Sequence, residues 1–269
     1  MTVKRSRAGK SGWQYRVDGD RVPGVTKVTG MLPKDNLIDW AAKESANHAV
    51  NYWDELSRLP LMDRWSRIKG ARYNRSGPAA KRGTDVHRYA EQLANDDLNW
   101  DQVPEDHRGY VEAYQDFLET FDVRPLVGGT ELVVASREHR YCGSTDLVAD
   151  LSAVETDVRV IPASRWLLDI KTSDSGIWPE TALQVCGYAR AEVFVDPAAP
   201  DDERLVSWLE IAQCGAVHLA SDAWSLYPLD TGPQVWEAFL KLRWLLEVQE
   251  DMKSWVGAPA KVPAALTTA

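Results

Sequence analysis

The 269-residue chain is predicted to form a single α/β domain with a helical N-terminal part. Two observations carry this. In the first half, apolar residues recur at helical spacing; in the second, short β-rich runs flank one helical segment and end in another. Hydrophobic residues make up 44% and charged residues 26%, so size and composition allow one large core.

The opening GWQYRVDGDRVPGVTKVTG reads as a short hairpin turning at Asp18-Gly19-Asp20. A helix follows over 36–57, with Leu37, Trp40, Ala41 and Ala49 among its apolar positions. After a basic stretch, 64–82, come helices near 84–95 and over 105–121. Strand-like runs then occupy 130–136, 141–151 and 165–172, with a loop between the last two. The spacing of Leu183, Cys186, Gly187 and Ala191 predicts a helix over 179–194. Strands over 204–213 and 215–221 precede a last helix, 233–251, apolar on one side. The chain thus divides into an N-terminal hairpin, helix and basic segment (1–82), a core (83–252) and a small, Pro-containing tail (253–269).

Composition narrows the function. No apolar run approaches the roughly 20 residues of a membrane span, and MTVKRSRAGKSG lacks the apolar stretch of a secretory leader, so a cytoplasmic protein with no membrane partner is expected. Cys142, Cys186 and Cys214 are far apart and show no metal-site spacing, which points to buried free thiols. Ala8-Gly9-Lys10-Ser11 ends like a phosphate-binding loop but has Lys4 where that motif needs its first glycine, so ATP binding is not expected there. The net charge of −9 argues against coating nucleic acid by bulk charge. Locally the balance reverses: RWSRIKGARYNRSGPAAKR carries Arg64, Arg67, Lys69, Arg72, Arg75, Lys81 and Arg82 with no acidic residue, and Trp65 and Tyr73 among them. Cations interleaved with aromatics suit phosphate neutralisation and base stacking; a solvated loop explains the same composition.

The chemistry gathers around WLLDIKTS. Side chains alternate across a strand, so Asp169 and Lys171 share one face and Ile170 takes the other. A same-face Asp and Lys also suits a structural ion pair at a strand end. Asp146 then brings a second carboxylate into the otherwise apolar run LVADL. If the two strands pair, carboxylates about 4 Å apart repel by about 4 kcal/mol at an effective dielectric of about 20. Either a proton or a cation must sit between them, and hard oxygen ligands suit magnesium or manganese. A helix starting near Thr84 places His87 at the end of its first turn, with Glu91 on the same side and Gly83 allowing close backbone approach before it. Gln184 and Tyr188, four residues apart, form a polar strip on the helix after the Asp–Lys strand.

The ordered set Gly-x-x-x-His, Gly-x-x-Asp, Asp-x-Lys and Gln-x-x-x-Tyr, from Gly83 to Tyr188, resembles the PD-(D/E)XK nuclease superfamily. It is most similar to the RecB-like branch, which includes CRISPR-associated nucleases and many phage exonucleases. VPGVTKV and LIDWAAKESA also look like the openings of phage-encoded members. The resemblance implies a restriction-endonuclease-like core, a central mixed sheet flanked by helices. It implies His87, Asp146, Asp169 and the Ile170 carbonyl as ligands of Mg2+ or Mn2+, and Lys171 as the group that positions the attacking water and stabilises the phosphate. Gln184 and Tyr188 would support the site or touch the DNA backbone, with Glu131 a further acidic contributor. The cysteines of the iron–sulfur members have no counterparts, so no cluster is expected. The implied activity is metal-dependent hydrolysis of linear DNA with free ends, exonucleolytic or end-processing, alongside a recombination protein. A non-catalytic nucleic-acid-binding module on the same fold is the alternative.

Overall fold

The computed structural model describes residues 2–7 and 13–260, apart from the side chains of Arg7, Arg75, Val127 and Glu250. The Ala8–Ser11 motif and the last part of the tail, 261–269, lie outside the described residues.

The chain begins with a three-stranded antiparallel sheet of β1 (Val3–Arg7), β2 (Trp13–Val17) and β3 (Asp20–Val22). Asp18 and Gly19, both at positive φ, make the β2–β3 turn at the expected place; β1 was not anticipated. The next residues, read as part of the hairpin, instead form a short helix, α1 (Val25–Thr29), whose Val25 and Val28 are buried. The helical part follows as α2 (Asp35–Asn51), α3 (Trp53–Leu56), α4 (Leu61–Gly70) and α5 (Tyr73–Ala94).

One expectation needs correction here. The basic stretch is helical, running through α4 into α5, and the expected boundary at residue 82 falls inside α5. The apolar positions of α2 do not enter a core: α2 and α4 contain no buried residue, and Leu37 is exposed.

After α6 (Glu105–Thr120) come β4 (Arg124–Thr130), β5 (Val133–Ser136), β6 (Tyr141–Ser144) and β7 (Leu147–Leu151). The run expected as one strand over 141–151 is therefore two, broken at Thr145-Asp146. The expected loop holds a small hairpin, β8 (Val154–Glu155) with β9 (Val160–Ile161), before β10 (Ser164–Lys171). Next is α7 (Glu180–Ala189), which ends earlier than expected because the apolar run after it becomes β11 (Val193–Val195). β12 (Glu203–Leu205), β13 (Gln213–Leu219), β14 (Trp224–Pro228) and α8 (Pro233–Asp251) complete the fold. A 3-10 turn over Val206–Leu209 replaces most of the strand expected at 204–213.

The central sheet has the order β14-β13-β10-β7-β4. It is mixed, since β10 pairs in parallel with β13 and antiparallel with β7. A second, antiparallel sheet has the order β12-β11-β5-β6. On one face of the central sheet, Val86 and Ala90 of α5 and Tyr114 and Phe117 of α6 pack against Trp166, Leu168 and Ile170. On the other, Val185 and Tyr188 of α7, Phe239 of α8 and Val25 of α1 pack against Leu167 and Val148. The fold is thus mixed α/β with helices on both faces of the sheet. Among the described residues, no helix is long and apolar enough to cross a membrane.

Gly143 of β6 marks a close approach between layers. A Cβ there would lie 2.4 Å from the Tyr188 ring and 3.0 Å from Val25 Cγ2. We expect Gly143→Ala to destabilise the protein by about 1–3 kcal/mol in urea titration. Gly70→Ala, at the last position of α4 with nothing within 4 Å of the added methyl and Ala71 following it, should instead stabilise by about 0.5–1 kcal/mol.

Candidate functional site

β10 carries two chemistries on two faces. Trp166, Leu168 and Ile170 fill the α5/α6 side, while Leu167, Asp169 and Lys171 alternate onto the side of α7. Asp169 is only 2% exposed, so its charge needs partners. The Lys171 ammonium lies 2.5 Å from Asp169 Oδ2. That ion pair is the contact made by Oδ2, since Gln184 takes the other oxygen.

Gln184 of α7 reads both charges at once. Its Nε2 donates to Asp169 Oδ1 at 2.8 Å and to the Tyr188 hydroxyl at 2.8 Å, while its Oε1 lies 3.4 Å from Lys171 Nζ. Tyr188 is buried and held by the gap at Gly143, so it supports the site; burial keeps its phenol well above its usual pKa.

Asp146 stands in the break between β6 and β7. Its peptide is tied across to the β4–β5 junction, where Glu131 N–H donates to its carbonyl at 3.3 Å. Its Oδ2 accepts the Ile170 amide at 2.6 Å, so a side chain replaces a ladder carbonyl at the end of the β7–β10 pairing. Oδ1 lies 3.3 Å from His87 Nδ1. The position of His87 is a correction: α5 begins at Tyr73, so the histidine stands deep in a long helix rather than in its first turn. Gly83 is likewise inside the helix, where a Cβ would come within 3.2 Å of Thr172 Oγ1 just beyond β10.

Burial opposes charge on all four groups, and the neighbours decide the outcome. For Asp146 the His87 and Lys171 charges and the Ile170 amide overcome burial and lower the pKa. For Asp169 burial dominates, and with the Asp146 charge nearby it prevails over Lys171 and raises the pKa to about 6. The two carboxylates raise His87 to about 9 against its burial, and keep Lys171 cationic.

Glu131 is at the site, in a left-handed backbone conformation, but its carboxylate is engaged by Arg5 of β1 at 2.7 Å. The same Arg5 nitrogen donates to Ser144 Oγ at 2.7 Å, and its guanidinium stacks 4.0 Å from the Trp13 ring. Arg5 was missed. Nothing local distinguishes it in VKRSR, and only the strand register places it over the β6–β7 break. These groups line a cleft of about 1700 Å³, together with Glu91, whose pKa is raised by burial and by Glu131.

The basic residues divide. Arg64 is structural, donating to the carbonyls of Leu56, Ser57 and Leu59. Lys81 pairs with Asp85 at 2.5 Å and Arg82 with Asp174 at 2.9 Å. Lys69 lies over the Trp65 ring at 4.6 Å and Arg72 over the Tyr73 ring at 4.7 Å. Arg67 is an exposed position of α4, and the Arg75 side chain lies outside the described residues.

Cys142, Cys186 and Cys214 are buried free thiols. Among the described residues, no three histidine, cysteine or carboxylate side chains are gathered into a ready cation cage. Asp146 is engaged by His87 and a backbone amide, and Asp169 by Lys171 and Gln184.

No known protein family and no curated protein matches the chain. Among solved structures it is similar to the crystal structure of SSO0001 at 14% identity, over 65% of this chain and 76% of that one. The TM-score of 0.28 is too low to carry an argument.

A buried carboxyl with a raised pKa makes stability fall as pH rises. The native state holds the Asp169 proton up to about pH 6, whereas the unfolded chain releases it near 3.8. Measured in chelator by urea titration, the stability of the native protein relative to Asp169→Asn should be greatest below pH 4. It should decline by roughly 3 kcal/mol at most as pH rises to 7. A flat difference would show that Asp169 ionises normally.

Proposed function

We propose that this chain is a divalent-metal-dependent nuclease acting on DNA, built on a restriction-endonuclease-like core of the RecB-like PD-(D/E)XK type. One observation carries the reading. Two carboxylates, buried Asp169 and partly buried Asp146, stand at the ends of adjacent strands, with His87 and Lys171 against them and Gln184 bridging the charges. A structural ion pair needs no second carboxylate driven against the first at the cost of a raised pKa. A reaction centre does.

The donor chemistry fits a hard divalent ion. Carboxylate oxygens with one imidazole suit Mg2+ or Mn2+, and Asp169 Oδ2, which meets the Lys171 ammonium here, is the acceptor such an ion would share. His87, Asp146, Asp169 and the Ile170 carbonyl would hold it. When bound, the ion supplies an acidified water and neutralises charge on the phosphodiester.

The protein groups do the rest. Lys171, kept cationic by the carboxylates, faces the cleft and stabilises the charge that develops on the phosphate oxygens. Gln184, anchored by Tyr188, fixes the direction of both Lys171 and Asp169. His87, protonated at neutral pH beside Asp146, must release its proton to become a ligand, so protons and metal compete at this site.

The test is degradation of end-labelled linear DNA with magnesium, compared with chelator and with Asp169→Ala. We expect cleavage only in the native protein with magnesium. Cleavage that persists in the variant would place the reaction elsewhere, and binding without cleavage would favour a non-catalytic module. Lys171→Ala should lower the cleavage rate by at least about a hundredfold while calorimetry shows metal affinity largely retained. Lost metal affinity would contradict the role given to Lys171. Closed circular DNA separates exonuclease from endonuclease.

A further inference from the structure

The α2–α4 arm has a surface that the fold does not use. Neither α2 nor α4 buries a residue, yet the arm exposes Leu37, Ile38, Trp65 and Tyr73. A groove of about 610 Å³ runs between these helices and the start of α5. Leu37, Ile38 and Trp40 line one wall; Lys69, Arg72 and Tyr73 line the other. Lys69 and Arg72 each stack on an aromatic ring, which leaves flat faces edged with cations. Among the described residues, no acidic one lines the groove, and Asp39 of α2 is paired with Lys43.

We propose that this groove binds unpaired DNA bases, so that the strand served by the reaction centre is single-stranded over the stretch ahead of it. The inference rests on the nuclease reading for the direction of the strand, but not for the groove itself. Charge complementarity selects the occupant. An apolar floor whose charged lining residues are Lys69 and Arg72 matches bases inward and phosphates outward, whereas a second copy of an acidic chain would bring mixed charge to it. The groove is also connected to the reaction centre. Tyr73 begins α5 and His87 stands fourteen residues further along the same helix, about 20 Å at 1.5 Å per residue. Between them Lys81 and Arg82 are already tied to Asp85 and Asp174, so the grip lies at the distal end. A strand must therefore be several nucleotides long to reach both.

The probe is fluorescence anisotropy of labelled oligothymidylates of four and sixteen nucleotides, and of a blunt duplex, in chelator. Tyr73→Ala should weaken binding of both oligothymidylates about tenfold while changing duplex binding little, and Tyr73→Trp should restore it. Arg72→Glu should lower the slope of log affinity against log salt by about one or more. A loss on the duplex equal to that on the single strands, or unchanged single-strand binding in Tyr73→Ala, overturns the proposal. So does sedimentation showing a dimer that Tyr73→Ala dissolves while DNA affinity stays constant. Binding that depends on Tyr73 in a protein that never cleaves DNA would uphold the groove and remove the nuclease reading. Cleavage that continues with unaltered binding would do the reverse.

Discussion

Two carboxylates at the ends of neighbouring strands, Asp169 buried and Asp146 partly so, set the terms for this structure. Asp146 and Asp169 cannot both be ionised in the interior unless cations meet them, and the fold brings one from each side. His87 arrives on α5, and Lys171 follows Asp169 by two residues on the same strand face. Much of the surrounding architecture serves this arrangement. The break between β6 and β7 frees Asp146 to take the Ile170 amide, Gly143 makes room for Tyr188, and Tyr188 anchors Gln184 between the two charges of β10.

The arrangement is costly in the protein alone, which explains its asymmetry. Asp146 has three kinds of partner and is the readily ionised carboxyl; Asp169 lies deeper and holds its proton longer. The N-terminal sheet extends the network rather than closing a separate unit. Arg5 reaches from β1 to Glu131 and Ser144, so a strand at the start of the chain braces the loop that carries Asp146.

The chemistry of the site was legible in the sequence where it depends on local periodicity. Strand alternation places Asp169 and Lys171 on one face, and helical spacing places Gln184 over Tyr188. What periodicity does not encode was missed. The run from Tyr141 to Leu151 is strand-like on both sides of Ser144-Thr145-Asp146, and periodicity does not tell that its halves join different sheets. After α7, Arg190-Ala191-Glu192 leads into Val193-Phe194-Val195 with no glycine or proline, so nothing in the pattern marks where the helix gives way to β11. The basic stretch contains Gly77 and Pro78, which suggest a loop, yet Pro78 is accommodated inside α5. The bond from Arg5 to Glu131 joins residues 126 positions apart, beyond any local pattern.

The central claim is that His87, Asp146 and Asp169 converge on one hard divalent ion beside Lys171. The most direct measurement is anomalous diffraction from crystals soaked in manganese. The account predicts one strong peak within coordination distance of all three side chains, with the Lys171 ammonium displaced from Asp169 Oδ2 but still lining the cleft. A peak elsewhere, or an undisturbed Lys171–Asp169 pair at saturating manganese, would contradict it.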